Sequence, residues 1–118
     1  MTTRSDIFHH AMQKYGTQPD YPFHHFPNYA ALRHDSDGKW YGLIMNVPME
    51  RIGTPGTGNV DILDVKCEPD DVEHLQKQLG IIPAYHMNKD HWISVLLDGS
   101  VSADAIWKLL DASFKLTK

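Results

Sequence analysis

The chain of 118 residues holds one cysteine, Cys67, which excludes an internal disulfide and fits a reducing compartment. No apolar run approaches the ~20 residues that span a bilayer. The N-terminal MTTRSDIFHHAM lacks the apolar core of a signal peptide, so the expectation is a cytoplasmic protein with no membrane attachment. Nor is there a basic run, the usual mark of nucleic-acid binding, where neutralising phosphates dominates affinity. The net charge is −4, and the whole deficit falls in residues 59–85, where Lys66 and Lys77 face six acids. Eight histidines would carry that charge to +4 if all were protonated. The phosphate-loop pattern, the Gly-x-Ser-x-Gly elbow and the Cys-x-x-Cys pair are all missing.

What is present is ordinary for a globular domain, with 42% hydrophobic and 22% charged residues. The length suits a single domain, 1–118, without repeats or linkers. Ser5 is a plausible cap for a helix over about 5–15, with Ile7, Phe8, Ala11, Met12 and Tyr15 on one stripe. Pro19, Pro22 and Pro27 then predict an extended loop. Two strands, 29–34 and 40–47, flank Asp37-Gly38, a hairpin turn signal. A third strand, 60–67, places Leu63, Val65 and Cys67 on one face. Glu68-Pro69-Asp70-Asp71 opens a helix through Val72, Leu75 and Leu79 to a stop at Gly80. A last strand over 91–97 and a helix capped by Ser102 close the chain, the helix burying Ile106, Leu109, Leu110 and Phe114.

The order α-β-β-β-α-β-β-α predicts a two-layer α+β domain, an antiparallel sheet with helices mainly on one face. Loops, a partner or water must then cover the other face. There the last strand presents Trp92, Ser94 and Leu96, a candidate surface for a protein partner, and the chain is expected to be a monomer or a weak dimer.

Residues 84–92, AYHMNKDHW, form a dense polar stretch between apolar segments. His86 and His91 are five apart, which matches no helical or finger-type metal spacing, and the pairs His9-His10 and His24-His25 diverge in regular structure, so no metal site is assigned. Cys67 lies on the inward pattern of its strand, where thiols are packing residues. No catalytic residue and no cofactor are assigned. Asn88-Lys89-Asp90 suits a turn, with Asn88 able to cap and to take unusual backbone angles, while His86 and Trp92 can satisfy backbone groups. The functional alternative makes Lys89 a phosphate or carboxylate contact, His86 and Asn88 hydrogen-bonding groups, and Trp92 a stacking plate.

These same residues carry a resemblance. His86, Asn88, Lys89, His91, Trp92, Val95, Leu97, Asp98, Gly99, Ile106, Ser113 and Phe114 match the C-terminal signature of the MmcQ/YjbR family of small bacterial proteins. PNYAALRH, KWYGLIMNVP and VDILDVKCEP extend the match over about 20–118. The resemblance implies a CyaY-like or secretion-chaperone-like α+β fold, in agreement with the element order. It also implies non-enzymatic DNA binding through a double-wing arrangement. The candidate contacts for DNA or an anion are then His86, Asn88, Lys89, His91, Lys66, Lys39 and Arg33, with Trp40 and Trp92 for stacking. The acidic balance argues against DNA, and the alternative is a module that binds a protein partner or a small anion through the free sheet face and the 86–92 motif.

Overall fold

The computed structural model describes all 118 residues. Three helices and five strands follow in the expected order: α1 (Arg4–Tyr15), β1 (Ala30–Arg33), β2 (Trp40–Pro48), β3 (Asn59–Lys66), α2 (Pro69–Gln76), β4 (Ile81–Pro83), β5 (Trp92–Leu96) and α3 (Ala103–Leu116). A 3-10 turn, Met49–Ile52, follows β2. The sheet is antiparallel throughout, in the order β1-β2-β3-β5-β4. No helix is long and apolar enough to cross a membrane.

Alternation along the strands divides the apolar residues between two cores. Ile44, Leu63, Val65, Ile93 and Val95 face the helices and pack on Ile7 and Ala11 of α1 and Ile106 and Leu110 of α3. All three helices contribute to this side, as the sequence predicts. Ser113 fastens α3 to the sheet, donating to the Tyr41 carbonyl at 2.6 Å and accepting from the Lys66 N–H at 2.9 Å.

Three local expectations are corrected. The cap of α1 is Thr3 rather than Ser5: Thr3 Oγ1 accepts from the Asp6 N–H, and the Asp6 carboxylate accepts from the Thr3 N–H. That reciprocal box satisfies two donors at once, which a cap at Ser5 cannot match. Helix α2 stops at Gln76, and Leu79, expected on its buried stripe, is exposed. A tight turn carries the chain to Gly80, whose φ of 88° and close approach to Ser100 and Val101 leave no room for a side chain.

The third correction concerns the face opposite the helices, which is not free. Ala31, Leu43, Met45, Val47, Val60, Ile62 and Leu96 form a second core there, with Tyr29. Phe23 from the proline-rich loop, Met49 and Ile52 from the 3-10 turn, and Tyr85 and Met87 from the 84–91 turn pack over it. Trp92, Ser94 and Leu96 are therefore buried and offer no surface to a partner. The apolar side chains in these connections prefer the sheet face to water, so the chain supplies its own cover.

Candidate functional site

The 84–91 turn is built by two short side chains. Asn88 Oδ1 accepts from the Asp90 N–H at 2.8 Å, and the Asn88 carbonyl accepts from the N–H groups of His91 and Trp92. Ser94 Oγ accepts from the Tyr85 N–H at 2.9 Å. The capping role predicted for Asn88 is thus observed, whereas the backbone of the turn relies on Ser94 and not on His86 or Trp92. Nor is Asn88 the residue with the unusual backbone. His86 is, with a φ of 68°, the one non-glycine residue in the left-handed region. Such a conformation is retained where the surroundings impose it, and it holds the imidazole beside the rings of Tyr85, at 4.1 Å, and Tyr29, at 6.3 Å.

Beneath this ring lies a cavity of about 350 Å³. Phe23, Phe26 and Tyr29 from the loop before β1 line it, with Trp40, Leu43 and Met45 of β2, and His86 and Met87 of the turn. Phe23 stands edge-on to Tyr29 at 5.8 Å and to Trp40 at 5.7 Å, while Phe26 stacks on Tyr29 at 4.6 Å. Of the nine candidate residues, His86 and Trp40 meet here.

One strand further in, Asp64 is wholly buried. It pairs across the sheet with Leu43 on one side and Ser94 on the other. Ser94 Oγ donates to Asp64 Oδ1, while Oδ2 has no partner. Burial pushes this carboxyl up to about 8, against the smaller opposing pulls of Ser94 and of Lys89. At neutral pH it is therefore predominantly protonated.

The remaining candidates separate by role. Registry places Arg33 beside Trp40 and Lys66 beside Trp92, at one end of the sheet. Arg33 forms an ion pair with Asp20, and Lys39 lies 3.9 Å from Asp37, so acids of the same end offset both. Trp92 is buried and cannot serve as a stacking plate. Lys89 and His91 are exposed on the turn; Lys89 reaches a neighbouring depression with Arg51, Ile82 and Tyr85. No three His, Cys, Asp or Glu side chains converge as a metal cluster requires. Cys67 is buried, and burial, with Asp71 and Glu68, pushes its thiol up.

A larger depression of about 690 Å³, between α1 and the start of α3, is walled by His9, His10, Lys14 and Trp107. Those groups already serve one another. His10 stacks on Trp107 at 4.3 Å, and the Asp111 carboxylate binds His10, Lys14 and Tyr15.

Reading residues singly misses Phe23, Phe26, Tyr29 and Asp64. The signal for the first three is an aromatic-rich loop, TQPDYPFHHFPNY, where a solvated connection would be polar. For Asp64 it is an acid set directly among apolar strand residues, Ile62-Leu63-Asp64-Val65.

Much of the C-terminal signature therefore builds the fold: Asn88 forms the turn, Trp92 fills the core, Ser113 pins α3, and Asp98 accepts from the Ser100 N–H at 2.9 Å. The whole chain is similar to known proteins. Bacillus subtilis YyaQ is 52% identical over 118 residues, the full length of both. Escherichia coli YjbR is 38% identical over 58 residues, about half of each chain. A Pseudomonas syringae protein of known crystal structure superposes with a TM-score of 0.97 at 47% identity, covering 99% of this chain and 100% of the other. A Deinococcus radiodurans protein, 26% identical, gives 0.75 over 98% of this chain and 78% of its own. The YjbR family model matches residues 12–116, nearly all of the chain, and with that coverage the chain belongs to the YjbR family.

Proposed function

We propose that this chain is a non-enzymatic, intracellular binding domain whose ligand is a small organic molecule seated in the cavity beneath His86. The observation that supports this reading is the convergence of Phe23, Phe26, Tyr29, Trp40 and His86, from three separate segments, on one apolar cavity of about 350 Å³. Such cavities, mostly apolar with few polar groups, are the usual form of a small-molecule site. The conformation of His86 fits the same reading, since its left-handed backbone places a polar ring at the rim. On this reading the chain acts as a monomer, because the sheet face that would pair copies or take a protein partner is covered.

DNA binding is the second reading, and its support is the gathering of Arg33, Lys39, Trp40 and Lys66 at one end of the sheet. The pairing of Arg33 and Lys39 with acids and the net charge of −4 weigh against it. One titration series separates the two. Nuclear magnetic resonance spectra of the labelled protein, recorded against a library of small fragments, should show shifts at the Trp40 indole and the His86 and Met87 amides, lost in Trp40→Ala. Fluorescence anisotropy with single- and double-stranded DNA at about 50 mM salt should stay flat. Salt-sensitive DNA binding that Lys66→Ala weakens, with no fragment shifts at Trp40, would reverse the order of the two readings.

A further inference from the structure

We infer that the cavity takes a compact organic cation, an alkylated ammonium group, enclosed by Phe23, Tyr29 and Trp40 with the buried Asp64 as its counter-charge. This rests on the cavity being the ligand site and goes on to name its ligand class.

The first ground is the arrangement of the rings. Phe23 meets Tyr29 at 76° and Trp40 at 77°, so its ring stands crosswise to both neighbours. A rounded cation can use several such ring faces and edges at once. Ring faces carry negative charge density, and Trp offers the strongest of them. Met45 and Met87 add polarisable thioethers to the lining. No ammonium or guanidinium group lines the cavity, and His86 is its one basic side chain.

The second ground is Asp64, which an apolar ligand would leave unexplained. Its Oδ1 is committed to Ser94 on β5, and Oδ2 has no partner although the side chain is wholly buried. On its other side the residue directly paired is Leu43, part of the cavity lining, at a ladder spacing of about 5 Å. Leu43 from β2, Ile82 from β4 and Ser94 from β5 bring no charge against the carboxyl. Lys89 of the 84–91 turn, exposed to solvent, is the charged group that acts on it. In so apolar a surround a cation in the cavity is attracted to the ionised carboxylate far more strongly than in water.

Proton linkage follows. Burial holds Asp64 near 8, so a cation arriving at pH 7 draws it into ionisation and releases a proton. Affinity for the cation should therefore rise with pH up to about 8 and level off above it.

The test is calorimetric titration with choline, with its neutral isostere 3,3-dimethylbutan-1-ol and with a flat neutral aromatic, benzyl alcohol, between pH 6 and 9. Choline should bind about tenfold more tightly than the isostere, with heat that depends on the buffer's ionisation enthalpy. Trp40→Ala should abolish binding and Trp40→Phe weaken it. Asp64→Asn, nearly isosteric with the protonated acid, should bind choline about tenfold more weakly and lose most of the pH slope, while His86→Gln keeps that slope. If the neutral isostere or benzyl alcohol binds as well as choline, the cation is overturned and the cavity reading stands. If none of the three binds, and fragments leave Trp40 unshifted, both fail.

Discussion

A carboxyl group in the middle of a sheet face is tolerated only while it keeps its proton. Asp64 is wholly buried with Leu43 on one side and Ser94 on the other, so its charged form is disfavoured and its affinity for the proton climbs to about 8. An unfolded chain releases that proton near the ordinary value of 3.8. Between those limits the folded form binds more protons than the unfolded one, so this residue lowers stability as pH rises and the loss levels off above about 8. Asp64→Asn cannot ionise and removes the dependence. The variant should match the parent near pH 4 and exceed it by at least about 1–2 kcal/mol at pH 8.5, as urea unfolding at each pH would measure. Parallel stability curves for the two proteins would mean that Asp64 is hydrated and charged, and would remove it from the site as well.

At the scale of elements, strands and turns were the legible part. Asp37-Gly38 turns the β1–β2 hairpin with Gly38 at a φ of 75°, Ser102 caps α3 by accepting from the Ala105 N–H, and Leu63 and Val65 face the helices. Each is decided within a few residues, which is why a local pattern suffices. The start of α1 was misplaced because Thr3 and Ser5 are both capping types two positions apart. What separates them is Asp6, three residues after Thr3, where its carboxylate closes the reciprocal box. Thr3→Ala should cost about 1 kcal/mol, and Ser5→Ala only a few tenths, in thermal unfolding followed by circular dichroism. Equal losses would place the helix start at Ser5 after all. The early end of α2 was illegible for a different reason. Leu79 continues the helical stripe perfectly well, but Gly80 must pass against Ser100 and Val101, a contact 20 residues away in sequence that no local pattern records.

For the whole molecule, the decisive event is the return of the proline-rich loop and the 84–91 turn over the second sheet face. The alternation of Trp92, Ser94 and Leu96 with Ile93, Val95 and Leu97 reads as a second apolar face offered to a partner, and nothing local says that segments of the same chain cover it. The candidate site was visible only in part: Trp40 and His86 stand out by type, whereas Phe23, Phe26 and Tyr29 acquire meaning only once the loop is seen to fold back. This cover makes a prediction of its own. Phe23 is half-buried against Tyr29 and Trp40, and it holds the loop to the sheet. Phe23→Ser should keep the fold, which rests chiefly on the helical core, and cost about 2–4 kcal/mol through lost packing and an opened cavity wall. It should also expose Leu43 and Met45, an apolar surface that invites a second copy. Sedimentation velocity over a range of concentrations would then find the parent as one monomeric species and the variant self-associating. A parent that is dimeric and falls apart on this substitution would reverse the argument, because Phe23 would then be reaching across to a neighbour and the cavity would belong to an interface.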